Sequence, residues 1–224
     1  MSYRTVLAVL RGGSEDGNCL KAAHVVARPF DGHIDALHVR ADPKAFIDYT
    51  GDAMTGDAYA QLIDAVEKEV AEKSQAARTA FDGWTRETGI EIVSEPKIGA
   101  QVSATWVETT GVEDRVVGRE GRLRDILVLP SAAGDEDLGG EQTIQRALFE
   151  AGRPVLIVPR GKAMTETKRI AIFWNGSKEA VRAVEAAMPL LRNAGTVDVM
   201  WVEEDVDVDA VQTGLGSYLA WHGV

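Results

Sequence analysis

The sequence predicts an α/β protein: a parallel five-stranded sheet flanked by helices, followed by a partial second copy of its opening. Three observations predict it. Short unbroken apolar runs alternate with segments whose apolar residues recur every three or four positions, the pattern of a parallel sheet with crossover helices. The first run is followed at once by Gly12-Gly13-Ser14, a tight strand-to-helix turn. The same strand, turn, helix and strand then return further along the chain at a fixed distance.

The first strand is Thr5-Val6-Leu7-Ala8-Val9-Leu10, apolar throughout, as a strand buried on both faces must be. Cys19, Leu20, Ala22, Ala23, Val26 and Ala27 form the stripe of a helix that Pro29 and Gly32 end, and Ile34 to Val39 is the second strand. Residues 41–59 turn to Asp, Gly, Thr and Ala and predict a loop over the carboxyl edge of the sheet. Leu62, Ile63, Val66, Val70, Ala77, Phe81 and Trp84 keep a helical period over about six turns, with Gly89 as the stop. Ile90 to Val93 is the third strand, while pattern does not settle whether 103–108 is a further short strand or irregular. A charged helix from Val112 to Leu123 leads to the fourth strand, Asp125 to Leu129. A loop over 130–142 precedes a helix from Thr143 to Gly152, and Val155-Leu156-Ile157-Val158 is the fifth strand.

Gly13 and Gly176, Ser14 and Ser177, Gly32 and Gly195, Asp35 and Asp198, and Val39 and Val202 are each 163 positions apart (176 − 13, and likewise for the rest). Insertions would break such a register, so the spacing reads as a tandem duplication. It divides the chain into a complete domain over 1–159, a polar linker over 160–168 and an incomplete second domain over 169–224. That second copy runs strand 170–174, turn 175–177, helix 180–191, strand 197–202 and a helix-like segment 208–221. Its missing third to fifth strands lead us to expect a truncated product.

Of the 224 residues, 45% are hydrophobic and 26% charged, enough to bury a core and too apolar for disorder. A net charge of −11 would repel a phosphate backbone, which excludes nucleic acid as a direct partner. No run approaches the ~18 apolar residues of a membrane span, and no signal-peptide pattern opens the chain, so a cytoplasmic protein away from membranes is expected. The lone Cys19 cannot form an intrachain disulfide and reads as a small buried residue. His24, His33, His38 and His222 lack metal-ligand spacing and are assigned to packing or surface, so no metal is expected. The five tryptophans are scattered and belong to core and domain contacts.

The pattern resembles the universal stress protein family, in particular its tandem two-domain members. The residues that carry the resemblance are Val6-Leu7-Ala8-Val9 before Gly12-Gly13-Ser14, Ala36 to Val39, Asp125 to Leu129, Arg153 to Val158 and, in the second copy, Trp174-Asn175-Gly176-Ser177. The resemblance implies an adenine-nucleotide α-hydrolase-like fold and a non-enzymatic stress-response or regulatory role. Nucleotide-binding members carry an acid in the first turn and, after strand four, a loop G-x-x-G-x9-G-[S/T] whose amides cradle phosphates. Here Gly12 stands where the acid belongs, Pro130 and Ala133 replace the first two loop glycines, and Asp135, Glu136, Asp137 and Glu141 bring negative charge to the phosphate position.

The resemblance therefore implies a degenerate nucleotide site, with Gly12, Gly13, Val39, Ser131, Gly134, Gly140 and Thr143 as its candidate lining and Asn175 as the counterpart in the second copy. The candidate cofactor is ATP or AMP. The alternatives are a nucleotide-binding switch of the same family and a weak phosphohydrolase. No catalytic residue is assigned, because no general base is placed beside a phosphate cradle. Val155 to Val158 would form an apolar sheet edge ending at Pro159, and such edges are normally covered, so a homodimer across it is expected.

Overall fold

The computed structural model describes residues 2–42, 56–95, 101–132, 137–164, 166–201 and 208–224. It divides into two compact units, a larger one over Tyr3–Met164 and a smaller one made of the remainder of the chain.

The larger unit is built on β1 (Thr5–Leu10), α1 (Asp16–Ala27), β2 (His33–Arg40), α2 (Gly56–Thr88), β3 (Glu91–Ile92), β4 (Ser103–Thr110), α3 (Glu113–Glu120), β5 (Ile126–Pro130), α4 (Leu138–Glu150) and β6 (Val155–Val158). All its strand pairings are parallel, in the order β3-β4-β2-β1-β5-β6. This is the α/β class the sequence predicts, with one strand more than the five expected. The additional strand is β4, the segment whose pattern was unresolved; it pairs with β2 over eight residues. Ile90 to Val93 contributes only the two-residue edge strand β3. The reason is composition: β4 reads SATWVETT, half-exposed and polar along much of its length, so it lacks the apolar run by which the central strands announce themselves.

β1 and β2 are almost entirely buried, because helices cover both faces of the sheet. On one face Leu7, Val9, Leu37, Val39, Leu127 and Leu129 pack against Val116 and Val117 of α3 and Ala147 and Ala151 of α4. Each buried Val or Leu among them contributes about 1.5–3 kcal/mol through burial. At the amino edge the Asp125 carboxylate accepts the backbone N–H groups of Arg4 and Thr5 and the Thr5 hydroxyl, which fixes β5 beside β1. Beside it Arg124 donates to Asp35 at 2.6 Å, and His33 lies 3.4 Å from the same carboxylate. Burial works against the Asp35 carboxylate, but the His33 hydrogen bond and the charge and hydrogen bond of Arg124 outweigh it and hold its pKa below the usual value.

Two helices start earlier than the pattern suggests. α2 begins at Gly56; 43–55 lie outside the described residues. α4 begins at Leu138 rather than near Thr143, because Asp137 caps it by accepting the Gly140 N–H at 2.9 Å, so the two glycines lie inside its first turn.

The smaller unit contains β7 (Arg169–Phe173), α5 (Lys178–Leu191), β8 (Thr196–Met200) and α6 (Val208–Trp221), with β7 and β8 paired in parallel. Its core is Ile172, Val184, Met188, Leu191, Leu215 and Leu219. Ser177 caps α5 through its hydroxyl, which accepts the Ala180 N–H at 3.1 Å. Among the described residues no helix is long and apolar enough to cross a membrane.

Candidate functional site

In a doubly wound sheet the chain leaves β1 in one direction and returns through β5 on the other side, which opens a crevice outside the carboxyl ends of the strands. Here that crevice is a cleft of about 460 Å³. It is lined by Arg11 after β1, His38 to Ala41 at the end of β2, Gly111 to Asp114 after β4, and Asp137, Gly139, Gly140, Gln142 and Thr143 at the start of α4; Val66, Glu69, Val70 and Lys73 of α2 close one side.

The turn after β1 is held by a buried acid. The Asp16 carboxylate accepts the backbone N–H of Arg11 at 2.9 Å and of Gly12 at 2.8 Å. Burial raises its pKa against the pull of these N–H donors and of His38. Gly12 has φ +75°, and a Cβ there would overlap the backbone of Lys73. The turn therefore lies directly against the main chain of α2, and the absence of a side chain at 12 is what allows that approach.

Arg11 organises the opposite wall. Its Nε donates to Glu113 at 2.8 Å, its Nη1 lies 3.8 Å from Asp137, and its Nη2 donates to the Gly140 carbonyl at 3.5 Å. The Thr143 hydroxyl, fully buried, donates to Glu113 at 2.8 Å. A Cβ on Gly140 would overlap Asp137 and approach Arg11 Nη1 to 2.8 Å, so this glycine makes room for the ion pair. Three groups well suited to binding a phosphate meet here: a helix N-terminal amide, a guanidinium and a hydroxyl. All three are engaged by the chain's own Asp137 and Glu113.

Val39, Gly140 and Thr143 line the cleft. Gly12 and Gly13 form the turn beside it. Ser131 is not among the lining residues; its N–H donates to the Val158 carbonyl, continuing the ladder between β5 and β6. Gly134, with Asp135 and Glu136, lies outside the described residues. Asn175 belongs to the smaller unit, where its Oδ1 accepts the Ser177 N–H at 3.1 Å and it borders a hollow with Phe173, Trp174, Met200 and Trp201.

The residues that sequence reasoning passed over are Arg11, Asp16, His38, Lys73 and Glu113. Only Asp16 had a local signal, an acid just after a glycine turn at the start of a helix. Burial, with the Asp16 charge adding to it, pushes the Cys19 thiol up to about 12. Among the described residues no three His, Cys, Asp or Glu side chains gather as a metal site.

No protein-family model and no curated protein matches the sequence. Solved structures do resemble it. A universal stress protein from Archaeoglobus fulgidus superposes with a TM-score of 0.56 at 16% identity, covering 98% of this chain and 73% of that one. The fold is that of a universal stress protein. A putative universal stress protein from Pseudomonas aeruginosa gives 0.49 at 12% identity over 99% of this chain and 71% of that one. A universal stress family protein from Arabidopsis thaliana with AMP bound gives 0.41 at 16% identity over 70% and 92%.

Proposed function

We propose that this chain is a non-enzymatic stress-response protein of the universal stress type whose crevice is filled by its own carboxylates and works without a bound nucleotide. The observation that carries the reading is the closed network of Arg11, Glu113, Asp137, Gly140 and Thr143. A phosphate entering it would have to displace two carboxylates from partners they already hold and would then meet their repulsion. The packing of Gly12 against α2 also fills the turn where the resemblance places an acid in nucleotide-binding members.

Titration calorimetry with ATP and AMP, with and without Mg²⁺, tests this: no heat is expected, and saturable heat overturns it in favour of a nucleotide-binding switch. The cleft volume supports that second reading, since about 300–1,000 Å³ is the range of small-molecule sites. Weak phosphohydrolase activity has less support, because Arg11, the cation nearest the helix N-terminus, is already neutralised by acids.

In this reading the protein is cytoplasmic and acts through partner contacts, with a second copy of itself docked along β6. That strand is the sheet edge, and Ile157 is 40% exposed on it. Light scattering at micromolar concentration checks the docking; a monomer removes it. The smaller unit is in this reading a second copy of the strand, turn, helix and strand that open the first.

A further inference from the structure

His38 is the most buried of the four histidines, at 3% exposure, and both of its ring nitrogens are engaged. Nδ1 lies 2.9 Å from the Leu10 carbonyl oxygen, which can only accept, so Nδ1 carries the proton in the neutral ring. Nε2 is then an acceptor, and Ser74 Oγ, 3.0 Å away on α2, donates to it. The imidazole is stacked on Trp106 at 19° and 6.1 Å between ring centres, which fixes its plane. A serine hydroxyl hydrogen-bonded to a histidine whose other nitrogen is held by an acceptor is the arrangement of an activated nucleophile, its base and its orienting group.

Of the pair it is His38 that lines the cleft, beside Val70 and Lys73; Ser74 follows Lys73 on α2, is not itself a lining residue, and is partly exposed. We propose that Ser74 is an acyl-acceptor nucleophile with His38 as its general base, taking the acyl group of small activated esters that enter the cleft. Ser74 Oγ attacks the ester carbonyl carbon while its proton passes to His38 Nε2. The bond from that carbon to the leaving oxygen then breaks, and the leaving group departs with the proton, so an acyl-serine and an alcohol or phenol replace the serine and the ester. Ser74 sits in the middle of a helix, where backbone N–H groups are committed to the helix and supply no oxyanion hole. Acylation and hydrolysis of the acyl-serine both lack that stabilisation, so the reaction proposed is a slow acylation of Ser74 by activated esters rather than efficient turnover. This goes beyond the nucleotide question and does not depend on its answer.

The probe is p-nitrophenyl acetate on the full chain, with peptide mass spectrometry to separate Ser74 from surface lysines. One acetyl group on Ser74 is expected, absent in Ser74→Ala and formed about 10²-fold more slowly in His38→Gln. No acetyl group on Ser74, or equal rates in the wild type and His38→Gln, overturns the proposal. Circular dichroism checks both variants. Should His38→Gln not fold, the wild-type pH series decides: the Ser74 rate must fall on acidification, and a flat rate overturns the assignment equally.

Discussion

The turn after β1 and the turn after β7 carry Gly-Ser pairs 163 positions apart (176 − 13 and 177 − 14) and solve the same problem in opposite ways. In the first, a buried carboxylate, Asp16, reaches back to two N–H groups, and Gly12 lies against the backbone of a neighbouring helix. In the second, Asn175 and Ser177 satisfy N–H groups two and three residues ahead, and Gly176, at φ +71°, has open space around it. One turn is held by tertiary packing and the other by local hydrogen bonds.

The strands show the same contrast. Ala8 lies opposite Ala36, whereas Ala171 lies opposite Asp198, which the 163-residue spacing matches to Asp35. The pairing has slipped by one residue, and because side chains alternate, the slip exchanges the faces of one strand. Leu37 and Val39 belong to the cluster on the α3 and α4 face of the larger unit, while Val197 and Val199 pack against the single cluster of the smaller. A sheet covered on both faces tolerates either choice, since all of β1 beyond Thr5 is buried. The two-stranded sheet distinguishes them and leaves Phe173 at 79% exposure.

Gly12→Ala should separate the two turns most. It combines a left-handed φ with overlap against the Lys73 backbone, so a loss of about 3 kcal/mol or more is expected, against about 1 kcal/mol for Gly176→Ala. Equal shifts in urea midpoint would break the comparison. Next comes Asp16→Ala, which strands two N–H donors and should cost about 2 kcal/mol, followed by Ser177→Ala at about 1 kcal/mol for the lost cap. Denaturation of each variant measures both.

Acid should then sharpen the contrast between Asp35 and Asp198. The depressed Asp35 pKa gives stability that is present above the unfolded value of about 3.9 and lost as pH falls through the folded value. Asp35→Asn should flatten that acid limb. The raised pKa of Asp16 works the other way, adding stability as it protonates, and Asp16→Asn should remove that gain. The Asp198 carboxylate, lowered by the exposed Arg169, is screened by solvent, and Asp198→Asn should leave the acid limb nearly unchanged. The smallest effect is chemical: native Cys19, its thiol pushed up to about 12, should not react with a thiol reagent until the chain unfolds.

The central strands were legible because burial on both faces demands unbroken apolar runs, and α1 because one apolar face repeats. β4 was not legible, since Thr105, Glu108, Thr109 and Thr110 give a half-exposed strand no apolar run. The start of α4 was hidden by Gly139 and Gly140, which read as loop residues yet lie inside the helix that Asp137 caps. Of the site, Val39, Gly140 and Thr143 were named because the family resemblance implies a nucleotide crevice at the carboxyl ends of the strands. Arg11, Glu113 and His38 were not, because nothing local to them says what they face.

The sequence alone determined the α/β class, the parallel direction of the strands and the place of the crevice, because these follow from periodicity and from short glycine turns. Tertiary structure decided what occupies the crevice. Arg11 meets Glu113 and Asp137, and His38 meets Ser74, across separations of 102, 126 and 36 residues (113 − 11, 137 − 11 and 74 − 38). The Arg11 guanidinium and the Glu113 and Asp137 carboxylates become a site that carries its own anions only when the fold closes those distances.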